Sequence, residues 1–188
     1  MASEDTTTTK ELMNIGMEVI DLTGRWSLNR TLSDDPSPAL ELQNVSWFIR
    51  KAISNANVAI EITQTVDPSS GAVSLTSTQA TLGRTVADTR ILNWDEELVQ
   101  THPLFGQTRT RSRQAIASYG IDDEYLVEAA TEGERVVEAL VESVDGTWKS
   151  HQVWRFEIVD GARRQTRRAV VSNHGQTSHV RMVYDKIA

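Results

Sequence analysis

The last two thirds of the chain alternate between strand-like segments and very short turns. Val58, Ile60 and Ile62 are separated by single residues, which is the period of two expected for a half-buried strand. Turns such as "DPSSG", "VDG", "DG" and "NHG" then separate further segments rich in β-branched and aromatic residues. Turns this short join antiparallel neighbours, so the pattern predicts a meander of hairpins.

The pattern predicts a mainly β protein: an antiparallel up-and-down β-barrel of about ten strands, because closure removes the exposed sheet edges. We expect residues 124–131 to form one of these strands and residues 94–103 to be irregular. The other predicted strands cover approximately 22–33, 58–63, 72–80, 84–93, 104–118, 135–141, 148–159, 162–172 and 178–187.

The N-terminal part has helical signals instead. Residues 10–20 have apolar side chains at helical spacing after a capping-box pair, Thr8 and Glu11. After the first strand, Asp35-Pro36 and Asn44 are start signals for a short helix pair, with an apolar stripe that includes Phe48. We therefore divide the chain into an arm with a short helix, residues 1–21, and a β-barrel, residues 22–188.

Composition excludes several classes of protein. The formal net charge of −7 argues against a nucleic-acid partner. The absence of cysteine excludes a disulfide framework and thiolate metal sites. No apolar run approaches the roughly 20 residues that cross a bilayer, and the polar, acidic N-terminus does not resemble a signal peptide. We expect a cytoplasmic protein without a membrane span.

Three features together resemble the calycin superfamily: a G-x-W motif at Gly24-Arg25-Trp26, a helix pair after the first strand, and a final strand "VRMVYDK". Within it the chain resembles the fatty-acid-binding-protein architecture. The ordered segments "LNRTLSDD", "SWFIRKAI", "LNW" and "VYD" are similar to those of calycin-like proteins common in filamentous fungi. The resemblance implies an internal cavity reached near the helix pair.

The resemblance also implies an Arg-x-Tyr clamp for a carboxylate on the last strand, but this chain departs from it. Aligning Tyr184 with the family tyrosine places Met182 where the arginine would be. Successive residues of a strand face opposite sides, so Tyr184 shares a face with Met182 and Val180 while Arg181 faces away. Without a β-bulge, the fatty-acid clamp is missing.

Two other strands carry arginines whose direction the sequence leaves open. Arg109, Arg111 and Arg113 share one face, opposite Thr108, Thr110 and Ser112. Either the arginines face water and the hydroxyls face inward, or an inward cationic stripe holds an acidic ligand. In the strand over 162–172, arginine occurs on both faces, with Arg163 and Arg167 opposite Arg164 and Arg168, so a regular strand would place an arginine inside.

Two functions are consistent with these features. The first is binding of a hydrophobic small molecule, lipid-like or polyketide- or terpenoid-like, in the barrel. The alternative is a cofactor-free cyclase or isomerase, pericyclase-like, of fungal secondary metabolism that uses the same cavity. We expect no metal and no cofactor, since no metal-binding or cofactor motif is found. The predicted polar or catalytic residues are Arg111, Arg164, Tyr119 and Tyr184. The predicted ligand-binding residues are Trp154, Phe156, Met182, Val180, Gln152, Trp47, Phe48, Ile60 and Ile62.

Overall fold

The computed structural model describes residues 19–81 and 84–187. Two short helices and ten strands are found there, and the predicted N-terminal helix lies almost entirely outside these ranges. The helices are α1 (Ser37–Leu42) and α2 (Trp47–Asn55). The strands are β1 (Gly24–Leu28), β2 (Ala59–Val66), β3 (Val73–Thr81), β4 (Arg84–Ile91), β5 (Asn93–His102), β6 (Gly106–Ile116), β7 (Arg135–Ser143), β8 (Trp148–Val159), β9 (Ala162–Asn173) and β10 (Gln176–Ile187).

The strands form one antiparallel sheet that curls into a nearly closed barrel. Their order is β4-β3-β2-β1-β10-β9-β8-β7-β6-β5, so every strand pairs with its sequence neighbour except where β1 meets β10 and where β4 faces β5. In the described residues no ladder joins β4 to β5. The gap is crossed by a bridge between Leu92 and Ser112 and by a hydrogen bond from Gln100 to Asp88. The predicted mainly β barrel of about ten strands with a helix pair after the first strand is confirmed.

Alternate side chains of each strand point into the barrel, and those near one end close it. Trp26, Ile60 and Ile62 form the core there together with Leu22 and Leu75. Gly24 has a φ of +143°, a conformation that side-chain-bearing residues rarely adopt. The Trp26 indole N–H donates to the Leu22 carbonyl at 3.1 Å. The G-x-W motif therefore begins β1 and packs its tryptophan into the closed end.

Two predictions are wrong in opposite ways, one missing a strand and one adding a strand, so the predicted number of strands still agrees with the structure. Residues 94–103, predicted to be irregular, lie mostly in β5. Residues 124–131, predicted to be a strand, form successive turns instead. Because β5 has a single ladder, to β6, and is largely exposed, it does not need the apolar alternation of a buried strand. The apolar residues of 124–131 are buried differently, with Leu126 packing among residues on the outside of the barrel.

The segment 117–134, hereafter the outer loop, covers the outer face of β8 and β9. Leu126 packs with Val136 and Val153. Beside them two arginines from the strands, Arg155 and Arg168, are 1% and 3% exposed. Both contact the Glu157 carboxylate of β8, and each also contacts a glutamate of the outer loop, Glu134 for Arg155 and Glu128 for Arg168. The loop is thus held to the barrel by an apolar patch and by paired charges.

Helices α1 and α2 lie over the other end of the barrel. Ala39 and Leu40 of α1 are buried, and Ala39 packs with Val171 and Val180 of the last two strands. The predicted apolar stripe of α2 is wrong in one respect, because Phe48 is 77% exposed and stacks edge-on with Trp47 on the solvent side. No helix in the described part of the chain is long and apolar enough to cross a membrane.

Candidate functional site

A cavity of about 950 Å³ fills the barrel beneath α1 and α2. This volume lies in the range of cavities that hold small organic molecules, about 300–1,000 Å³. The helices and the last two strands give it an apolar side that includes Ala39, Leu40, Ile49, Ile53, Ala169, Val171, Val180 and Met182. Polar residues gather on the remaining wall, among them Ser77, Asp88, His102, Gln152, Arg167 and Tyr184.

Arg167 is the central cation of this polar wall. Its strand, β9, is regular from Ala162 to Asn173, so Arg167 points inward and Arg168 outward. The guanidinium carbon lies 3.9 Å from the centroid of the Trp154 ring and 5.3 Å from that of Tyr184. Its one side-chain hydrogen bond in the described structure is a long one, 3.5 Å from Nη2 to Ser77 Oγ. Its Nε is buried without an acceptor, and no carboxylate oxygen of the described residues lies within 4.0 Å.

A second arginine, beside this wall and inside the barrel, is paired with a carboxylate. Arg90 of β4 binds the Asp88 carboxylate at 2.7 Å, and its guanidinium carbon lies 4.7 Å from the Trp154 ring centroid. The same carboxylate accepts a 2.5 Å hydrogen bond from Gln100 Nε2 of β5. Asp88 is therefore already engaged by two donors. Burial is the main cause that lowers the pKa of Arg167, and the nearby positive charge of Arg90 lowers it further; the guanidinium remains charged at neutral pH.

Two neutral hydrogen-bonding groups lie beside these charges. Burial raises the pKa of the Tyr184 phenol, a shift that the charge of Arg167 opposes, so the group stays protonated and able to donate. Gln152 accepts a hydrogen bond from the Trp154 indole N–H at 3.1 Å and donates to Ser150 at 3.0 Å. These contacts fix the indole ring that lies against Arg167.

His102 stands at the wall on the β5 side. Its Nδ1 accepts the backbone N–H of Leu104 at 3.1 Å, and its ring stacks on Phe105 at 4.6 Å between centroids. Burial is the main cause that lowers its pKa, with Arg90 acting in the same direction and Asp88 against it. With Nδ1 accepting, the neutral ring carries its proton on Nε2.

Four of the residues predicted from the sequence line the cavity together: Gln152, Val180, Met182 and Tyr184. Trp154 is 2% exposed and supports Arg167. Arg181, which the parity of β10 places on the opposite face from Tyr184, lies outside the barrel 3.8 Å from Glu157. The pairing of β10 with β9 is continuous over residues 176–184, so no bulge brings Arg181 inside.

The other predicted residues lie elsewhere. Arg111 is on the outer face, 3.2 Å from Glu97, while Thr108, Thr110 and Ser112 face inward. Arg164 is also outside, 2.6 Å from Asp185, and Tyr119 is 62% exposed on the outer loop. Phe156, Ile60 and Ile62 belong to the closed end, and Trp47 and Phe48 face solvent on α2. Their functional roles remain predictions.

Asp88 and His102 line the cavity and Arg90 pairs with Asp88 beside it, and sequence reasoning gave none of the three a site role. Asp88 and Arg90 share a face of their strand, a period of two that is visible in the sequence, but the face that turns inward depends on the whole barrel. His102 lies in the segment predicted to be irregular. No group of three or more histidine, aspartate or glutamate side chains in the described ranges is arranged to hold a metal ion.

Known proteins resemble this chain in two ways, either in sequence or in fold alone. No family model matches the chain. Among curated proteins, a probable pericyclase, scpY, from Mollisia scopiformis is 29% identical over 171 residues, covering 89% of this chain and 90% of the relative. The pericyclase pydY from Acremonium sp. is 29% identical over 166 residues, covering 85% and 88%.

Several solved structures, each 16% identical or less, share this fold. Human cRBP IV superposes with a TM-score of 0.56 at 15% identity, covering 89% of this chain and 98% of that one. A Schistosoma mansoni fatty acid binding protein in complex with arachidonic acid gives 0.54 at 15% identity, covering 88% and 96%. The calycin-like fold suggested by the sequence is thereby confirmed.

Proposed function

We propose that this protein binds a hydrophobic small molecule inside the barrel. The observation that supports the proposal is the cavity of about 950 Å³, whose apolar side continues beneath the two helices. A cavity of this size with few convergent polar groups is typical of a site for a small organic ligand. We also propose that it acts in the cytoplasm, which agrees with the absence of cysteine from the chain.

The test is to fill the cavity with protein. Ala169 faces the apolar side, so Ala169→Trp places an indole in ligand space. Thr177→Trp adds the same group at an exposed position of β10 and serves as the control. Titration with Nile red should show at least tenfold weaker binding for Ala169→Trp than for Thr177→Trp, with thermal unfolding reporting whether both fold. Equal binding by the two folded variants would contradict the proposal.

A second function has its own support, namely catalysis of a pericyclic reaction on the bound molecule. Two curated relatives with pericyclase names match 85–89% of this chain. A pericyclic step needs no cofactor when the substrate already carries the reacting π bonds. An enclosed wall can raise its rate by holding the chain in a folded, reactive shape, and by donating hydrogen bonds to a conjugated carbonyl as electron density shifts towards it.

The polar wall has the groups for that task. Arg167 and the neutral Tyr184 phenol lie on adjacent strands and both can donate to one oxygen. The Trp154 ring behind the guanidinium keeps it from turning away. The apolar side beneath α1 and α2 would hold the remainder of a polyene chain in contact with itself.

The experiment measures a reaction that changes no mass. A synthetic triene tethered to an enone should give an isobaric cyclic product faster with protein than in buffer, read by chromatography with mass detection. Arg167→Met should slow it and Arg163→Met, an exposed neighbour on the same face, should not. If a substrate shown to bind cyclises at the buffer rate, the catalytic proposal fails while the binding proposal stands.

A further inference from the structure

We infer that the ligand is an amphiphile with a planar, delocalised oxyanion as its head group, a carboxylate or the enolate of a 1,3-dicarbonyl, and that Arg167 anchors this group. The inference rests on the proposed binding function and specifies its ligand class. It differs from the clamp of the fatty-acid carriers, because the arginine is on β9 and the last-strand arginine, Arg181, points away from the cavity.

The charges of the polar wall favour an anionic ligand. Among the described side chains of the polar wall, Arg167 is cationic and Asp88 is anionic, and the cationic Arg90 lies beside the wall against Trp154. Asp88 already binds Arg90 and accepts from Gln100, so one positive charge, that of Arg167, has no ion-pair partner within residues 19–81 and 84–187. A charge held away from bulk water without a partner is costly, and a bound anion would remove that cost. At the mouth the charged side chains are Arg30, Asp34 and Asp35.

The planar shape of the Arg167 guanidinium favours a planar anion. The guanidinium lies against Trp154, 3.9 Å from the ring centroid, and Ser77 is its single side-chain acceptor among the described residues, at 3.5 Å. A flat guanidinium donates two parallel N–H bonds, which matches two oxygens in one plane. Carboxylates and enolised 1,3-dicarbonyls both present such a pair. The phenol of Tyr184, on the neighbouring strand, adds a neutral donor to the same place.

The residues beside Arg167 give the direction of the rest of the ligand. Met182 is paired directly with Arg167 across β9 and β10, and Val180 with Ala169. These residues lead from the cation to Ala39 and Leu40 of α1 along the apolar side. A molecule with its anion on Arg167 therefore extends an apolar tail towards the two helices.

The test uses three probes with one tail. Dodecanoic acid, 2-dodecanoyl-1,3-cyclohexanedione and dodecanol present a carboxylate, an enolate and a neutral hydroxyl at pH 8. Isothermal titration calorimetry measures each against the wild type, Arg167→Met, Arg167→Lys and the control Arg163→Met. Arg163 also lies over an aromatic ring, Phe156, at 3.7 Å but is exposed and outside the cavity. Thermal unfolding verifies that every variant folds.

We expect the wild type and Arg163→Met to bind one or both anions about 10- to 100-fold more tightly than dodecanol, the range of a charged hydrogen bond. Arg167→Met should lose that preference and keep its affinity for dodecanol. Arg167→Lys should retain part of it, since the charge remains without the planar donor pair. A preference confined to one anion assigns the head group and supports the inference.

Equal binding of all three probes to the wild type overturns the inference, as does an anion preference that survives Arg167→Met. In both cases the bound probes still uphold the proposed binding function. Failure of all three probes to bind a folded wild type counts against the binding function itself, so the two failures are distinguishable.

Discussion

Arg167 and Arg168 are adjacent in the chain and have opposite surroundings. Arg168 points out of the barrel, where Glu157 receives two of its nitrogens, at 2.9 and 3.2 Å, and Glu128 a third at 2.6 Å. Arg167 points in, where an indole ring and a distant hydroxyl are its partners. A charge that the protein fully pairs holds structure together, and a charge that it leaves unpaired inside a cavity is available to a ligand.

The largest change in stability is expected when Arg168, the arginine paired with glutamates, is replaced. Arg168→Met removes the two hydrogen bonds that the guanidinium donates to Glu157, one to each carboxylate oxygen, in a largely buried place. We expect the free energy of unfolding to fall by about 3 kcal/mol, as when one partner of a buried ion pair is removed. Urea unfolding measures it, and Arg163→Met, at an exposed position, should stay within about 0.5 kcal/mol of the wild type. Equal losses in both variants would remove the distinction between the two faces.

The Glu157 carboxylate should make the stability of the fold depend on pH. Burial by itself raises the pKa of Glu157, but hydrogen bonds from Arg168 and Thr166 and the charge of Arg155 outweigh it and the pKa is lowered. A lowered pKa stabilises the fold above the unfolded-state value, about 4.3, and this contribution is lost as the pH falls through the folded-state pKa. Glu157→Gln should cost about 2 kcal/mol at pH 7.

The cost of Glu157→Gln should shrink as the pH is lowered below about 4, since the wild-type carboxyl is then protonated as well. Unfolding curves at pH 7, 5 and 3 check this. A difference that is the same at all three values would mean that the side chain acts through packing and not through its charge.

At Arg167, which points into the cavity, we expect a change in the free energy of unfolding of the opposite sign. Arg167→Met removes a half-buried cation that has no carboxylate partner in the described part of the chain, so ligand-free protein should become more stable by about 1 kcal/mol. Urea unfolding of protein freed of ligand by extraction gives the value. Destabilisation of the size expected for Arg168→Met would show that Arg167 is a structural residue.

The smallest effect is expected at Arg111, one of the positions predicted from the sequence. Its ion pair with Glu97 is exposed, at 49% and 32% for the two side chains. Arg111→Met should change the free energy of unfolding by less than about 0.5 kcal/mol. Because Arg111 faces outward, we also expect unchanged titration of dodecanoic acid; a loss of that binding would restore the predicted role.

The alternation along each strand predicted much of this arrangement, because parity alone separates Tyr184 from Arg181 and Arg167 from Arg168. Parity does not say which face turns inward when both carry arginine. The outer loop decides which face turns inward, because it supplies Glu128 and Glu134 to the outer face. Its residues 124–131 have the composition of a strand, and only their packing on β8 and β9 shows otherwise. The site therefore depended on a tertiary contact that no local pattern carries.

The gap between β4 and β5 has a consequence for hydrogen exchange. Backbone amides along the described edges of β4 and β5 that face each other have no ladder partner there. They should exchange with deuterium well before those of β8 and β9, which pair over twelve residues. The side-chain bond from Gln100 to Asp88 spans this gap. Since Asp88 lines the cavity and also binds Arg90, exchange along this edge is a direct report on the state of the site.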